Sequence, residues 1–311
     1  MTELLAALDI GGTKIAGALV GPGGTLLHRV QRLTPARESG EWVLLTISQV
    51  IAALAADPLW KRVRAVGIGC AGPVDLARGS VSPVNIPGWR DFPLLDRVRA
   101  LVEDRPVVLA GDGVAMAAGE HWCGAARGAA DALCLVVSTG VGAGLVLNGT
   151  VRPGPSGNAG HLGHLSVDLD GEPCPCGSRG CLETLASGTA IARHALRSGW
   201  RPAQRAAGTE AGAAAVAADA RRGDPLALAA FDRAAQALAA GIAATATLLD
   251  LRLAVIGGGV AQAGDLLLTP LRHHLETYAA LPFARPIDVR RTALGSDAGL
   301  IGAAALTMAS R

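Results

Sequence analysis

Aromatic side chains are scarce in this chain: five Trp, three Phe and one Tyr make up only 3% of its 311 residues. Charged residues are few as well, at 17%, and 28 basic against 26 acidic side chains leave a net charge of +2. Scattered cations and so few rings argue against a nucleic-acid surface. A secretory leader is not visible, because Glu3 and Asp9 interrupt the first apolar run and no basic segment precedes it. The longest apolar run, residues 234–249, falls short of a membrane span, is dominated by Ala and is broken by Gly241, so a buried helix is expected there and no membrane partner. Half of the residues are hydrophobic, which argues against disorder and describes a compact globular protein, and with neither a leader nor a membrane span visible a cytoplasmic location is expected. The length favours two lobes, expected at 1–110 plus 298–311 and at 111–297. Six cysteines in so long a chain do not suggest a disulfide frame; Cys70, Cys123 and Cys134 read as buried single thiols.

The other three cysteines form the most specific stretch, HLGHLSVDLDGEPCPCGSRGCLE at residues 161–183. One imidazole of the His-x-x-His pair with Cys174, Cys176 and Cys181 can supply four ligands to a tetrahedral ion, which reads as a structural zinc site. Gly171, Gly177 and Gly180 let the loop double back so that the thiolates converge. A pair offers two histidines where one is needed, so the spare ring is available for other work beside a rigid metal knot.

In chain order, residues 4–9 read as a buried strand, followed by Gly11, Gly12, Thr13 and Lys14 and a second strand from Ile15. Such a turn can present backbone N–H groups to a phosphate, although a plain hairpin explains it equally well. A helix is expected at 41–54 and a strand at 63–68, which ends in a tight turn (69–73) where a ligand can approach the backbone closely, at Gly72. The loop SPVNIPGWRD (82–91) offers Asn85 as donor and acceptor and Trp89 as cover for an apolar sugar face or as a core residue. A strand at 107–110 delivers Gly111, Asp112 and Gly113 at its C-terminal end, the edge where ligands bind in α/β sheets. Asp112 is a candidate general base there, with helix capping the competing role. A strand at 131–137 runs into a second Gly/Thr turn, Ser138, Thr139, Gly140, Val141 and Gly142, again followed by a strand. One design used twice, once in each half, favours the phosphate reading of both turns. Helices are expected at 183–197, with an irregularity at Ser187 and Gly188, at 225–249, at 262–278 and at 298–308. Gly257, Gly258 and Gly259 follow a strand at 251–256 and would let a flat ring lie on the backbone. The element order β-β-β-α-β-α-β near the start recurs after Asp131, as in two related α/β lobes.

DIGGTK (9–14), STGVGAG (138–144), GHLGH (160–164), CPCGSRGCLE (174–183) and GGG (257–259) together resemble the ROK family of bacterial sugar kinases and related repressors, over nearly the whole chain and in the right order. The resemblance implies a duplicated, ribonuclease H-like α/β fold of the actin-like ATPase type, with ATP and sugar meeting between the lobes, and a homodimer or homotetramer. By position, Asp9 and Gly11 to Lys14, and Ser138, Thr139, Gly140 and Gly142, would serve the phosphates, and Gly257 to Gly259 the adenosine. Gly72, Asn85, Gly111, His161, His164 and Glu183 would face the sugar, Asp112 would be the catalytic base, and His164, Cys174, Cys176 and Cys181 would hold zinc. The implied reaction is Mg²⁺-assisted transfer from ATP to a sugar 6-hydroxyl.

Two positions depart from the pattern of the family's glucokinases. His161 stands where they have Glu, and Gly111 where the family usually has Asn before the aspartate. A histidine can donate where a carboxylate only accepts, and the missing amide removes a hydroxyl contact or leaves room for a bulkier substituent or a water. GHLGH and VSTGVG resemble N-acetylmannosamine kinases, and the NIPGW loop resembles glucokinases. The preferred substrate is therefore N-acetylmannosamine, with glucose the alternative and a catalytically weak sugar-binding protein the alternative of another class. A repressor is disfavoured, because repressors of the family carry a helix-turn-helix ahead of the kinase-like part.

Overall fold

The computed structural model describes residues 3–203 and 212–308. The Ala- and Gly-rich span at 203–221 therefore falls partly outside the described residues.

Twelve strands and nine α-helices follow one another along the described residues. The strands are β1 (Leu4–Ile10), β2 (Lys14–Val20), β3 (Leu26–Leu33), β4 (Val63–Cys70), β5 (Val74–Asp75), β6 (Ser80–Val81), β7 (Val107–Gly111), β8 (Ala132–Val137), β9 (Val141–Leu147), β10 (Thr150–Val151), β11 (Leu253–Gly257) and β12 (Asp288–Arg291). The helices are α1 (Gly40–Ala55), α2 (Leu94–Arg99), α3 (Asp112–Cys123), α4 (Leu182–Ala186), α5 (Gly188–Arg197), α6 (Ala213–Arg221), α7 (Pro225–Leu249), α8 (Asp265–Tyr278) and α9 (Ala298–Leu306).

Two five-stranded sheets share one topology. The first is ordered β3-β2-β1-β4-β7 and the second β10-β9-β8-β11-β12. β1, β2 and β3 form an antiparallel meander, and β4 and β7 then add in parallel. In the second sheet β9 and β10 pair antiparallel while β11 joins β8 and β12 in parallel. The repeated order expected from the sequence is therefore a repeated sheet, an α/β fold with mixed strands.

The chain packs as two compact units, one of Met1–Ala130, Gly144–Gly160 and Ala293–Arg311, the other of Asp131–Ala143 and His161–Thr292. In the first, alternation along β1 builds two different faces. Leu4, Ala6, Leu8 and Ile10 join α1 residues Val43, Ile47, Val50 and Leu54 in a large-residue core. Leu5 and Ala7, with Ala16 and Ala18 of β2, meet Leu300, Ala303 and Ala304 of α9 on the other face. Small side chains there let α9 lie almost on the sheet: a Cβ on Gly67 of β4 would be 1.7 Å from the Ala303 carbonyl oxygen. Trp89 belongs to the large-residue core, fully buried, stacked on Phe92 at 4.5 Å and donating from Nε1 to the Gly40 carbonyl. It is not available to cover a sugar; the NIPGW loop uses its ring as an anchor.

In the second unit, α7 begins with Asp224 accepting from the Ala227 N–H and with Pro225 in its first turn, and it ends at Asp250 in the left-handed region. By length and composition it could cross a membrane, but 61% of its most apolar window is buried within the protein, as in a core helix. The helix expected at 183–197 is broken in two. Ser187 is extended and its hydroxyl accepts from the Ala190 N–H, so it ends α4 and caps α5. The start of the helix expected from residue 262 is a 3₁₀ turn, Val260–Ala263, with α8 following Gly264.

Candidate functional site

In the first unit the parallel pairings bring the C-terminal ends of β1, β4 and β7 side by side: Asp9 opposes Gly69, and Cys70 opposes Gly111. β7 then hands over directly to α3, with Gly111 in the N-cap position and Asp112 as the first helical residue. The N-cap position weighed for Asp112 is thus held by Gly111, which has no side chain to cap with, while one Asp112 oxygen accepts the adjacent Gly113 N–H at 2.7 Å. Asp112 is half-buried, and Gly111 is buried with nothing within 4 Å of where a Cβ would point. Burial, then the nearby Asp112 and Asp9 charges, push the Cys70 thiol well above its ordinary pKa, so it stays protonated between two carboxylates. Asp9 itself is raised by burial, an effect opposed by the positive charges of Lys14 and Arg29.

The Gly11 to Lys14 turn closes with the Gly11 N–H donating to the Lys14 carbonyl, and Thr34, just past the end of β3, fastens it through its hydroxyl to the Gly11 carbonyl at 2.6 Å. Asn85 lies against this turn; a Cβ on Gly12 would be 2.8 Å from the Asn85 Cβ. The segment after Gly72 is clamped by Asn158, whose side chain accepts from the Val74 N–H and donates to the Val74 carbonyl. Sequence reasoning missed Asn158, since an Asn between Gly and Ala carries no signal without its partner.

In the second unit the four expected metal ligands come together. The ligand atoms of His164, Cys174, Cys176 and Cys181 all lie within 4.8 Å of one another. Cys174 Sγ is 3.7 Å from His164 Nδ1, and Cys176 Sγ is 3.7 Å from Cys181 Sγ. Bonds of about 2.3 Å from zinc to sulfur give a tetrahedron with edges of about 3.8 Å, so the donor set fits the ion in both chemistry and spacing. Gly177 and Gly180 have φ of +94° and +62°, and a Cβ on Gly180 would be 1.6 Å from the Asp168 carbonyl oxygen, so the doubling-back does depend on these glycines. Burial and the other two thiols push Cys181 up to about 12, whereas the Ser178 N–H lowers Cys176. Three crowded sulfurs of this kind become thiolates when a cation compensates them. Glu172 holds the loop to α5 through Arg193 and Arg197. His161, the spare histidine, is exposed, with its ring 6.1 Å from that of His164.

The second Gly/Thr turn, residues 138–142, is tied down by contacts that the motifs did not reveal, one of them from Glu183. Glu183 Oε2 accepts the Val141 N–H at 2.8 Å, Gly188 N–H donates to the Ser138 carbonyl at 2.7 Å, and the Thr189 hydroxyl donates to the Thr139 carbonyl at 3.1 Å. The Val141 N–H is therefore already used within the protein. Among the triple glycine, Gly258 has φ +88° and a Cβ there would be 2.4 Å from the Val137 carbonyl oxygen, so this strip of backbone lies flat against the end of β8.

Two α/β units with the same sheet order, and a glycine turn after the first strand of each, define the actin-like ATPase class of fold, to which this chain adds a His/Cys₃ loop. The ROK family profile matches residues 5–310, and the chain belongs to the ROK family. It is 36% identical to a glucokinase of Halalkalibacterium halodurans, over 95% of this chain and 92% of the relative. It is 35% identical to an N-acetylmannosamine kinase of Yersinia pseudotuberculosis, over 98% of each. Among solved structures, a ROK family glucokinase from Streptomyces griseus in complex with glucose and AMPPNP is similar with a TM-score of 0.86 and 37% identity, covering 97% of this chain and 98% of the other.

Proposed function

We propose that the protein, a sugar kinase of the ROK family, transfers the γ-phosphoryl group of ATP to the 6-hydroxyl of a hexose or N-acylhexosamine, with N-acetylmannosamine preferred. The observation that carries the reading is the half-buried Asp112 carboxylate at the C-terminal end of β7, at the strand ends it shares with Asp9. Phosphoryl transfer needs alignment and charge neutralisation more than covalent help. Asp112 accepts the proton as the sugar hydroxyl attacks in line. The Gly11 to Lys14 turn and the Thr139 to Gly142 turn supply N–H donors and one ammonium to the phosphates, and the Gly257 to Gly259 strip takes the adenosine. Asp9 would serve the nucleotide with its Mg²⁺, an ion that would supply positive charge to offset the phosphates. Gly72, Asn85, His161, His164 and Glu183 recognise the sugar. His164, Cys174, Cys176 and Cys181 would hold zinc in a closed four-ligand site, where the ion would orient this loop and leave no open position for chemistry.

The space beside Gly111, where a Cβ meets nothing within 4 Å, favours a substituted sugar. A second reading, glucose, is favoured by the NIPGW loop and by similarity to the Streptomyces griseus glucokinase. A coupled ADP-release assay over glucose, mannose, N-acetylglucosamine and N-acetylmannosamine separates the two. With the best sugar, Asp112→Asn is expected to lose about 10²- to 10⁴-fold in kcat. Turnover at the wild-type rate would remove Asp112 as the base.

A further inference from the structure

Val141 is gripped from two directions by residues that flank the metal loop. Its N–H is held by Glu183, two residues after the ligand Cys181. Its carbonyl is pressed by Gly163, the residue before the ligand His164; a Cβ on Gly163 would lie 2.0 Å from the Val141 oxygen. An ion held by His164 and Cys181 would therefore close the loop whose two ends bracket one residue of the Gly/Thr turn. Past the short α4 that starts after Cys181 and the break at Ser187, α5 begins with Gly188, whose N–H holds the Ser138 carbonyl.

We propose that the metal loop braces the turn at residues 138–142, with Glu183 as the positioning residue that transmits metal occupancy to nucleotide affinity. The proposal rests on reading that turn as a phosphate cradle. With Glu183 fixing the Val141 N–H inward, the preceding Thr139 and Gly140 amides are set in one orientation before nucleotide arrives. Losing the ion lets the two ends of the loop separate, and the cradle must then be ordered at the expense of binding. The metal in this arrangement serves the nucleotide side of the reaction as well as the sugar side.

The test is calorimetric titration of MgADP into the whole protein without sugar, with zinc content measured in parallel. Glu183→Ala is expected to keep a full complement of zinc and to bind MgADP roughly tenfold more weakly, the effect of losing one hydrogen bond to a charged acceptor. Glu183→Gln, which retains an acceptor oxygen, is expected to stay within about twofold of wild type. Cys176→Ser and chelator-stripped wild type should show the same weakening, and Glu183→Ala should add little to either, because both changes act through one connection. Wild-type affinity in Glu183→Ala overturns the positioning role and leaves Glu183 as a sugar contact only. Additive losses in the double variant overturn the link from metal to turn. A wild-type protein that binds no nucleotide overturns the phosphate-cradle reading itself, a result distinct from both.

Discussion

A methyl group on Gly302 would lie 1.9 Å from the carbonyl oxygen of Ala115, so α9 and α3 cross in backbone contact. The approach is reinforced at Gly119, where a Cβ would come within 2.9 Å of the Gly302 nitrogen. Since α3 begins at Asp112, this crossing sets where that carboxylate stands. Gly302→Val is expected to cost at least about 1–3 kcal/mol from overpacking, measured by urea unfolding. Its kcat should fall further than its nucleotide affinity, because α3 must move away from α9 and carries Asp112 with it. An unchanged unfolding midpoint would contradict the close crossing.

Much of this was legible in the residues because it follows from periodicity and from motifs that are compact in sequence. Gly/Thr turns between two apolar runs mark both hairpins, and Cys-x-Cys-x₄-Cys with a nearby histidine marks the metal cluster by local spacing alone. What stayed hidden depends on partners distant along the chain. Nothing local to Glu183 says that it accepts from Val141, and nothing local to Trp89 says that its ring is needed under Gly40. The glycines at 67, 163 and 302 look ordinary until the backbone atoms opposite them are located. The break at Ser187 was visible as a Ser-Gly pair, but that it separates two helices shows only in the extended Ser187 backbone, its cap on the Ala190 N–H and the distant Ser138 carbonyl that takes the Gly188 N–H.

The Cys174–His164 and Cys176–Cys181 spacings of 3.7 Å make a prediction about stability. An ion bound to the folded chain alone stabilises it by about 4 kcal/mol when free metal exceeds the dissociation constant a thousandfold. Stripping zinc should therefore lower the melting temperature, and adding zinc back should restore it. Cys174→Ser should show the lowered value from the start and respond weakly to added zinc. Equal melting temperatures with and without metal would contradict a structural ion.

His28 Nδ1 and Asp57 Oδ2 lie 2.6 Å apart, linking β3 to the residue that precedes a 3₁₀ turn. The Leu59 N–H, and after it the His28 ring, hold the Asp57 carboxyl below its ordinary range. A carboxyl whose pKa is lower in the folded than in the unfolded chain adds stability above the unfolded value, and that stability fades as pH falls through the folded value. Asp57→Asn should consequently be less stable than wild type near neutrality, and the gap should close in acid below the ordinary carboxylate range. Urea unfolding of the two proteins across that range checks the sign; a gap that widened in acid would contradict it.

Gly111 offers the sharpest test of substrate choice. Its φ of −63° and ψ of 151° suit any residue, and the direction of its missing side chain is open, so Gly111→Asn should fold without strain. An amide placed there beside Asp112 would supply a hydroxyl contact and fill the space that a substituted sugar could use. The ratio of kcat/KM for glucose over N-acetylmannosamine should rise by roughly tenfold, the scale of one added neutral hydrogen bond, with the melting temperature unchanged. A rise confined to glucose would mean that the amide contributes a contact, whereas a fall confined to N-acetylmannosamine would mean that it fills needed space. If neither value moves, the residue before Asp112 does not face the sugar, and discrimination between the two substrates must come from elsewhere, with His161 the next residue to change.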